Sequence, residues 1–359
     1  MVMIKMRKSI LQIDGSVGEG GGQVLRTSLA LSIVTGQGFS ITNIRAGRKK
    51  PGLMRQHLAC VHAARAICKA EVSGDELNSG EVQFIPAATG AMAGEYSFVV
   101  GSAGSTSLVL QTILPPLLMA RGKSVVTIEG GTHNPTAPPF PFLDEVFVPL
   151  LRQMGAEVDI EMERPGFAPA GGGLIRATIW GKGTLGEFKL HERGEIELIT
   201  AAAVCAGGLS GGIAQRELQS IAKRLTINPE NMTHIMLDEC ICQGNFVAVR
   251  IKSQNVFEMF TAVGELDKKA ETVANECVNE VREYLLSGVP VGSHLSDQIL
   301  LPLALCRGGS FIAGTPTAHT RTNLQVIQTF LPGRICAEPL ENGRWKISAS
   351  AFQSVENSL

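Results

Sequence analysis

Aromatic residues are scarce in this chain, 5% of 359 positions. A broad stacking platform for single-stranded nucleic acid needs several aromatic faces, so that class is disfavoured. A basic excess is also missing: 32 Lys and Arg against 33 Asp and Glu leave a formal net charge of −1. Domains dedicated to nucleic acid usually carry a clear positive excess, so any such contact is expected to be local, at one end, with a small footprint. The eight cysteines, at 60, 68, 205, 240, 242, 277, 306 and 336, include no Cys-x-x-Cys pair. That argues against a zinc ribbon, and strand geometry would point Cys240 and Cys242 to opposite faces. All eight are expected to be reduced and mostly buried. There is no His-Glu-x-x-His metal cluster. The longest apolar stretch, Leu108 to Ala120, contains Pro115 and Pro116 and is too short to span a bilayer. Met1 to Ile10 has lysines and an arginine but no apolar run, so no secretory signal is expected. The expectation is a soluble, cytoplasmic protein without a membrane partner.

Glycine, by contrast, is plentiful. Forty glycines are too many for a plain helical bundle and imply tight turns and close backbone approaches. With 44% hydrophobic and 18% charged residues, the chain has an ordinary globular balance.

One pattern occurs three times. An apolar, helix-compatible run, Thr27 to Val34, stops at Gly36 and is followed by an alternating strand, Phe39 to Ile44, and the loop Arg45-Ala46-Gly47-Arg48. A second copy starts at Thr106, stops at Arg121-Gly122, and continues with the strand Ser124 to Ile128 and the loop Glu129 to Pro135. The third starts at Ser296, stops at Arg307-Gly308-Gly309, and continues with the strand Ser310 to Ala313 and the loop Gly314 to His319. Gln111 and Pro115 have the same spacing as Gln298 and Pro302, which marks a genuine internal repeat. Those prolines lie deeper than a first helical turn, so a kink or a late helix start is expected. Second amphipathic helices fit Leu53 to Lys69 and Phe142 to Met154, with apolar residues at i, i+3, i+4 spacing. Between Gly186 and Ser287 the rhythm breaks. Gly207-Gly208 and Gly211-Gly212 flank a turn, and a charged helix, Glu265 to Leu286, closes the segment. The reading is an α+β core of repeated sheet-and-helix units over 1–185 and 288–359, interrupted by a smaller inserted α/β domain over 186–287.

Few residues stand out chemically. Asp14 to Gln23 is a glycine-rich turn between a strand (Ser9 to Ile13) and a helix, where free N–H groups can meet an anion. It has neither Walker A nor dinucleotide-binding spacing. Glu19 within it would suit a Mg²⁺ ion shared with phosphate oxygens, since Mg²⁺ takes one or two carboxylates besides phosphate. Arg45, Arg48, Lys49, Lys50 and Arg55 put five positive charges within eleven residues, with Arg26 before them and Gln56 and His57 after. Arginine forks bind two phosphate oxygens at once, so a pocket for a terminal phosphate or a triphosphate competes with a plain solvated basic face. His319, at the end of the third strand, can attack a phosphorus as a neutral imidazole, or simply be a hydrogen-bonded loop histidine. Ser296 or Asp297 can cap the helix after His294. His62 reads as a helix-face residue and His133 as structural; His191 and His234 have no evident partner.

At these residues the sequence resembles the RNA 3′-terminal phosphate cyclase family. The matching segments are Asp14-Gly15, Gly18 to Gln23, Arg45 to Arg48, Pro51-Gly52-Leu53, Arg55-Gln56-His57, Gly101 to Ser105, Gln111, Gly130-Gly131-Thr132, Pro169 to Gly173, and the His294 and His319 segments. They run in family order from about residue 10 to 345. The resemblance implies three similar units, each a four-stranded sheet with two helices, plus one smaller inserted domain. It implies a three-step adenylyl-transfer mechanism with ATP and Mg²⁺ or Mn²⁺: His319 takes AMP from ATP, an RNA 3′-phosphate takes the AMP, and the vicinal 2′-OH closes the cyclic phosphate and expels AMP. It further implies nucleotide contacts from Gln111, Glu19 and His294, Leu295, Ser296, Asp297 and Gln298, a metal at Glu19, and RNA-phosphate contacts from Arg26, Arg45, Arg48, Arg55, Gln56 and His57. Ser296 stands where relatives often have Ala. The tail from Ala349 to Leu359 passes beyond the matching part and is expected to be disordered. A homodimer is left open. The rival readings are a non-catalytic relative of ribosomal RNA maturation, which lacks the histidine that is present here, an enolpyruvyl transferase built on related units, and an RNA-binding scaffold.

Overall fold

A computed structural model describes residues 9–237 and 240–352. The first unit is β1 (Leu11–Asp14), α1 (Gln23–Thr35), β2 (Phe39–Thr42), α2 (Arg55–Cys68), β3 (Glu71–Ser73) and β4 (Val82–Ile85). Its sheet runs β1-β2-β4-β3, with β1 parallel to β2 and the other pairings antiparallel. α1 is the crossover between the parallel strands, and it stops at Gly36, whose φ of 66° is the left-handed conformation that glycine adopts without cost.

The second unit repeats this order. It comprises β5 (Glu95–Val99), α3 (Thr106–Met119), β6 (Arg121–Gly130), a composite helix α4 over 140–153, β7 (Glu157–Arg164) and β8 (Gly173–Lys182), with sheet order β5-β6-β8-β7. α4 passes through a π-helical turn at Leu143–Phe147. β9 (Phe188–Leu190) then begins a third sheet that is completed only much later in the chain.

The intervening stretch holds β10 (Ile196–Ala206), α5 (Gly211–Leu225), β11 (Met232–Leu237), β12 (Gly244–Ser253), β13 (Phe257–Val263) and α6 (Ala270–Ser287). Its sheet order is β11-β10-β12-β13, and its second helix follows the last strand, so its wiring differs from that of the repeat. The third unit resumes with α7 (Ser293–Leu305), β14 (Gly309–Ala313), α8 (Ala318–Phe330), β15 (Ile335–Pro339) and β16 (Trp345–Ala349). Its sheet, β15-β16-β14-β9, has the strand order and directions of the first two. The fold is thus the expected α+β array of three repeated units plus a fourth, differently wired sheet. Gly122 and Gly308 hold the equivalent helix-to-strand corners at φ of 115° and 113°, which explains the paired Arg-Gly stops.

Several local expectations change. α3 and α7 run through Pro115, Pro116 and Pro302, and α7 starts earlier than expected rather than later. The missing N–H of Pro115 and Pro302 leaves the main-chain carbonyls of Gln111 and Gln298, four residues earlier, without a helical donor. Gly292, not Ser296 or Asp297, occupies the cap position of α7. The C-terminal tail begins inside ordered structure. Ala349 ends β16, the Phe352 N–H donates to the Cys306 carbonyl at 2.9 Å, and the Phe352 ring lies 5.4 Å from the Arg334 guanidinium. Residues 353–359, like Met1 to Lys8, lie outside the described residues.

Two hydrophobic cores follow from strand alternation. The main core joins the helices and sheets of the three units. The inserted sheet contributes Val204, Phe246 and Ala248 to it from one face. From the other face, Cys205, Val247, Val249 and Ile251 pack with α5 and α6 into a core of their own. A fork of two bonds, Arg250 to Glu145 at 2.6 and 2.8 Å, ties the insert to the π-helical turn. His133, stacked on Phe167 with ring centroids 4.7 Å apart, is buried and lowered to about 4 by burial, which gives it a structural role. Among the described residues all eight cysteines are free, and no helix is long and apolar enough to cross a membrane.

Glu258 of β13 reaches across to α7, where its Oε1 accepts the Gly292 N–H at 2.6 Å. Burial raises this carboxyl from 4.5 to about 8, against the pull of the Gly292 N–H and His294. The folded chain therefore holds a proton that the unfolded chain releases. This contribution to stability is complete below pH 4.5 and is lost as pH rises through about 8. Glu258→Gln keeps the acceptor and removes the titration. Its melting temperature should gain on the wild type progressively from about pH 4.5 to about pH 8 and level off above that. A gap independent of pH would show that Glu258 does not titrate in this way.

Candidate active site

The glycine-rich turn between β1 and α1 folds over the first turn of α8. Its start is pinned by Asp14, whose Oδ1 accepts from Ser16 N at 2.9 Å, Ser16 Oγ at 2.7 Å and Asn43 Nδ2 at 3.2 Å. Its tip is pinned by Thr322 of α8, whose Oγ1 accepts the Glu19 N–H at 3.2 Å. The turn lies close to α8 at Gly18, where a Cβ would come within 2.0 Å of Thr322 Oγ1. A Cβ on Gly21 would come within 2.1 Å of Glu19 Oε1, and one on Gly22 within 2.3 Å of His57 Nε2.

This approach sets a row of charges. Glu19 pairs through Oε1 with Arg48 at 2.5 Å and through Oε2 with His319 Nε2. His319 does not end a strand, as the sequence suggested. It lies in the first turn of α8, whose cap is Thr317, the Oγ1 of which accepts the Thr320 N–H at 3.1 Å. The free N–H groups of such a helix end favour a nearby anion. The other ring nitrogen, Nδ1, is 3.3 Å from Gln23 Oε1. The Gln23 amide in turn donates to Asp297 Oδ1 at 2.5 Å. Burial raises the Asp297 carboxyl, against hydrogen bonds from Gln23 and Asn323 and the nearby His319 and Arg26. Burial lowers Arg26, against attraction from Cys60, Asp297 and Glu19.

A small cavity beside this row is lined by Gln23, Arg26, Gln111, Asp297, Gln298 and Asn323. Gln111 and Gln298, the equivalent glutamines of two repeat units, bond to each other there. The structure thus brings together Glu19, Arg26, Arg48, Gln111, Asp297, Gln298 and His319, drawn from all three units.

Other expected residues are placed differently. Leu295 and Ser296 are buried in α7. His294 is on its exposed side, 3.3 Å from Glu280, whose hydrogen bond raises its pKa. Arg45 spends its guanidinium on the Lys50 and Gly52 carbonyls, at 2.7 and 2.9 Å, closing the basic loop on itself. Arg55 donates to the Gly101 carbonyl at 3.0 Å, and Gln56 Oε1 accepts the Ser105 N–H at 3.3 Å. Together these two join α2 to the start of α3. His57 is buried and held to about 3, first by burial and then by Arg26 and Arg45. Its Nδ1 accepts the Met54 N–H at 3.2 Å, so its Nε2 carries the proton and faces the glycine turn. Of the lower-ranked histidines, His191 lies 2.7 Å from Ser310 Oγ. Thr322 and Asn323 were not singled out from the sequence, and Gln23 was marked only as the last residue of the glycine-rich segment.

Among the described residues no group of three or more His, Cys, Asp or Glu side chains is placed to hold a metal ion. Glu19 is the carboxylate that faces His319, and both its oxygens are paired, one with the Arg48 guanidinium and one with the His319 ring. This donor set fits Mg²⁺ or Mn²⁺ only as an ion shared with a phosphate ligand.

A family model described as RNA 3′-terminal phosphate cyclase matches residues 17–336. A protein of Pseudomonas fluorescens named RNA 3′-terminal phosphate cyclase is 44% identical over 347 residues, covering 97% of this chain and 100% of its own. The chain belongs to the RNA 3′-terminal phosphate cyclase family, and it is an enzyme of that class.

Proposed function

We propose that this chain converts RNA 3′-phosphate ends to 2′,3′-cyclic phosphates in the cytoplasm, using ATP and a covalent histidine–AMP intermediate. The observation that carries this reading is His319 at a helix N-terminus, with one ring nitrogen on an amide carbonyl and the other facing a glycine turn, a carboxylate and Arg48. In the first step His319 Nε2 attacks the α-phosphorus of ATP. An N–P bond forms, the bond to the bridging oxygen breaks, and pyrophosphate leaves. The Nδ1 proton stays, so the ring of the phosphoramidate carries positive charge and departs readily. An oxygen of the RNA 3′-phosphate then attacks the same phosphorus, and the electron pair of the N–P bond returns to Nε2. Finally the vicinal 2′-OH loses its proton, attacks the 3′-phosphorus and expels AMP. That closure is intramolecular, so proximity supplies much of its rate.

Glu19 holds Nε2 in the free protein and must release it before attack. It is also the residue that would hold Mg²⁺ or Mn²⁺, which supplies charge neutralisation at the phosphates when bound. Arg48, paired with Glu19, and Arg26, which lines the cavity, suit phosphate oxygens. Gln111, Asp297 and Gln298 line the cavity proposed for the nucleotide. Arg45, Arg55 and Gln56 act on this reading by shaping the basic loop and the 101–105 turn, where an RNA end would lie.

The test is the intact mass of the protein after incubation with ATP and Mg²⁺ without RNA. An acid-labile AMP adduct, discharged by an RNA with a 3′-phosphate but not by one with a 3′-OH, is expected. Absence of an adduct under varied metal and pH would reject the mechanism in favour of a non-catalytic role in RNA processing.

A further inference from the structure

The cavity beside the charged row has a polar side, with Gln111, Asp297 and Gln298, and an apolar side on which Phe147 is the one aromatic ring. Phe147 owes its place to an irregularity. It is the last residue of the π-helical turn Leu143–Phe147, in which the Val148 N–H reaches back five residues to the Leu143 carbonyl. Pro149 accounts for the irregularity. It has no N–H for the Glu145 carbonyl four residues earlier, and in a regular turn its ring would press on that carbonyl. Single π turns of this kind are rare and occur mostly at functional sites.

What fastens the turn is the insert. The turn packs between β13 and α7. Arg250 of β12 follows Phe246 and Ala248 at every second position, so it shares their face toward the repeat units. Its fork takes both oxygens of Glu145, at 2.6 and 2.8 Å, and the two side chains are only 23% and 33% exposed. A charged bond at two points fixes distance and angle together. On the opposite side of the cavity Glu258, also of the insert, holds the Gly292 N–H of α7 at 2.6 Å, and α7 carries Asp297 and Gln298. The insert thus grips both walls.

We infer that the insert is a working part of the nucleotide site, and that Arg250 is a positioning residue which, through Glu145, sets Phe147 in the apolar wall of the cavity. The inference rests on the reading of this cavity as the place of ATP. It adds a role for the insert, which supplies no residue to the charged row.

The experiment measures the affinity of α,β-methylene-ATP, which cannot release pyrophosphate, in the presence of Mg²⁺. It compares wild type with Phe147→Leu, Arg250→Ala, Glu145→Ala and the double variant Phe147→Leu/Arg250→Ala. Loss of the fork from either side should weaken binding by about 3- to 30-fold, the range of couplings carried through a packed element. Arg250→Lys, which keeps the charge but not the fork, should restore only part of it. The double variant should bind within about twofold of the weaker single variant, because both changes act through one ring. A folded Arg250→Ala with unchanged affinity, or losses that multiply in the double variant, would overturn the inference. The second readout is hydrogen exchange of residues 143–148 without nucleotide, which should quicken in both Arg250→Ala and Glu145→Ala. A wild type that fails to bind the analogue rejects the nucleotide reading itself and the inference with it, whereas unchanged exchange at 143–148 rejects the inference alone.

Discussion

His319→Ala should form no AMP adduct and should lose cyclisation by about 10⁴- to 10⁶-fold, the scale seen when a catalytic nucleophile is deleted. The fold should survive. The His319 side chain is 58% exposed, so little apolar burial is lost, and an ion pair with one partner this exposed contributes about 0–1 kcal/mol. The melting temperature should therefore stay within about 4 °C of wild type. Intact mass, a cyclisation assay on 3′-phosphorylated RNA and a thermal melt decide the matter together. A variant that still captures AMP would move the nucleophile elsewhere. A variant that unfolds would make the ring a structural group instead.

Gly18→Ala should disable the site from a position that carries no functional group. Gly18 has a φ of 67°, and a Cβ there would come within 2.0 Å of Thr322 Oγ1 and 3.0 Å of Thr322 Cβ. Thr322 cannot retreat cheaply, because its hydroxyl is bonded to the Ala318 carbonyl at 2.8 Å and receives the Glu19 N–H. The turn must lift away from α8 and carry Glu19 from His319. The left-handed conformation and the clash together should cost about 1–3 kcal/mol of stability, and misplacement of the turn should slow AMP capture by about 10²-fold or more. Gly80→Ala, with nothing within 4 Å of its Cβ and no left-handed φ, serves as the control and should change stability by no more than about 0.5 kcal/mol. Equal behaviour of the two variants would mean that the turn does not depend on its closeness to Thr322.

The repeated units were legible because a helix, its stop and the next strand are local patterns, and because Arg121-Gly122 and Arg307-Gly308 mark the same corner twice. Local patterns also misled. Ser296 and Asp297 look like caps, yet the cap of α7 is Gly292, whose N–H is satisfied by Glu258 from a strand of the insert. His319 looked like the end of a strand and its loop, whereas Thr317 was the signal of a helix start. The partners of the site residues had no local signature at all. Glu19 meets Thr322 across 303 positions, Gln23 meets Asp297 across 274, and His319 meets Gln23 across 296. Periodicity reports which face a residue occupies, not which distant residue shares it.

The same separations matter while the chain is being made. Glu19 leaves the ribosome 319 − 19 = 300 residues before His319, about 15–60 s at ordinary rates of synthesis. During that interval β9 waits for β14, its neighbour in the third sheet, while the insert is translated between them. A nascent chain can complete its first two sheets and the inserted one and still lack the proposed nucleophile. On the proposed mechanism activity arrives with the last unit, so any product truncated before α8 should be silent with respect to RNA ends, however well the rest of it has folded.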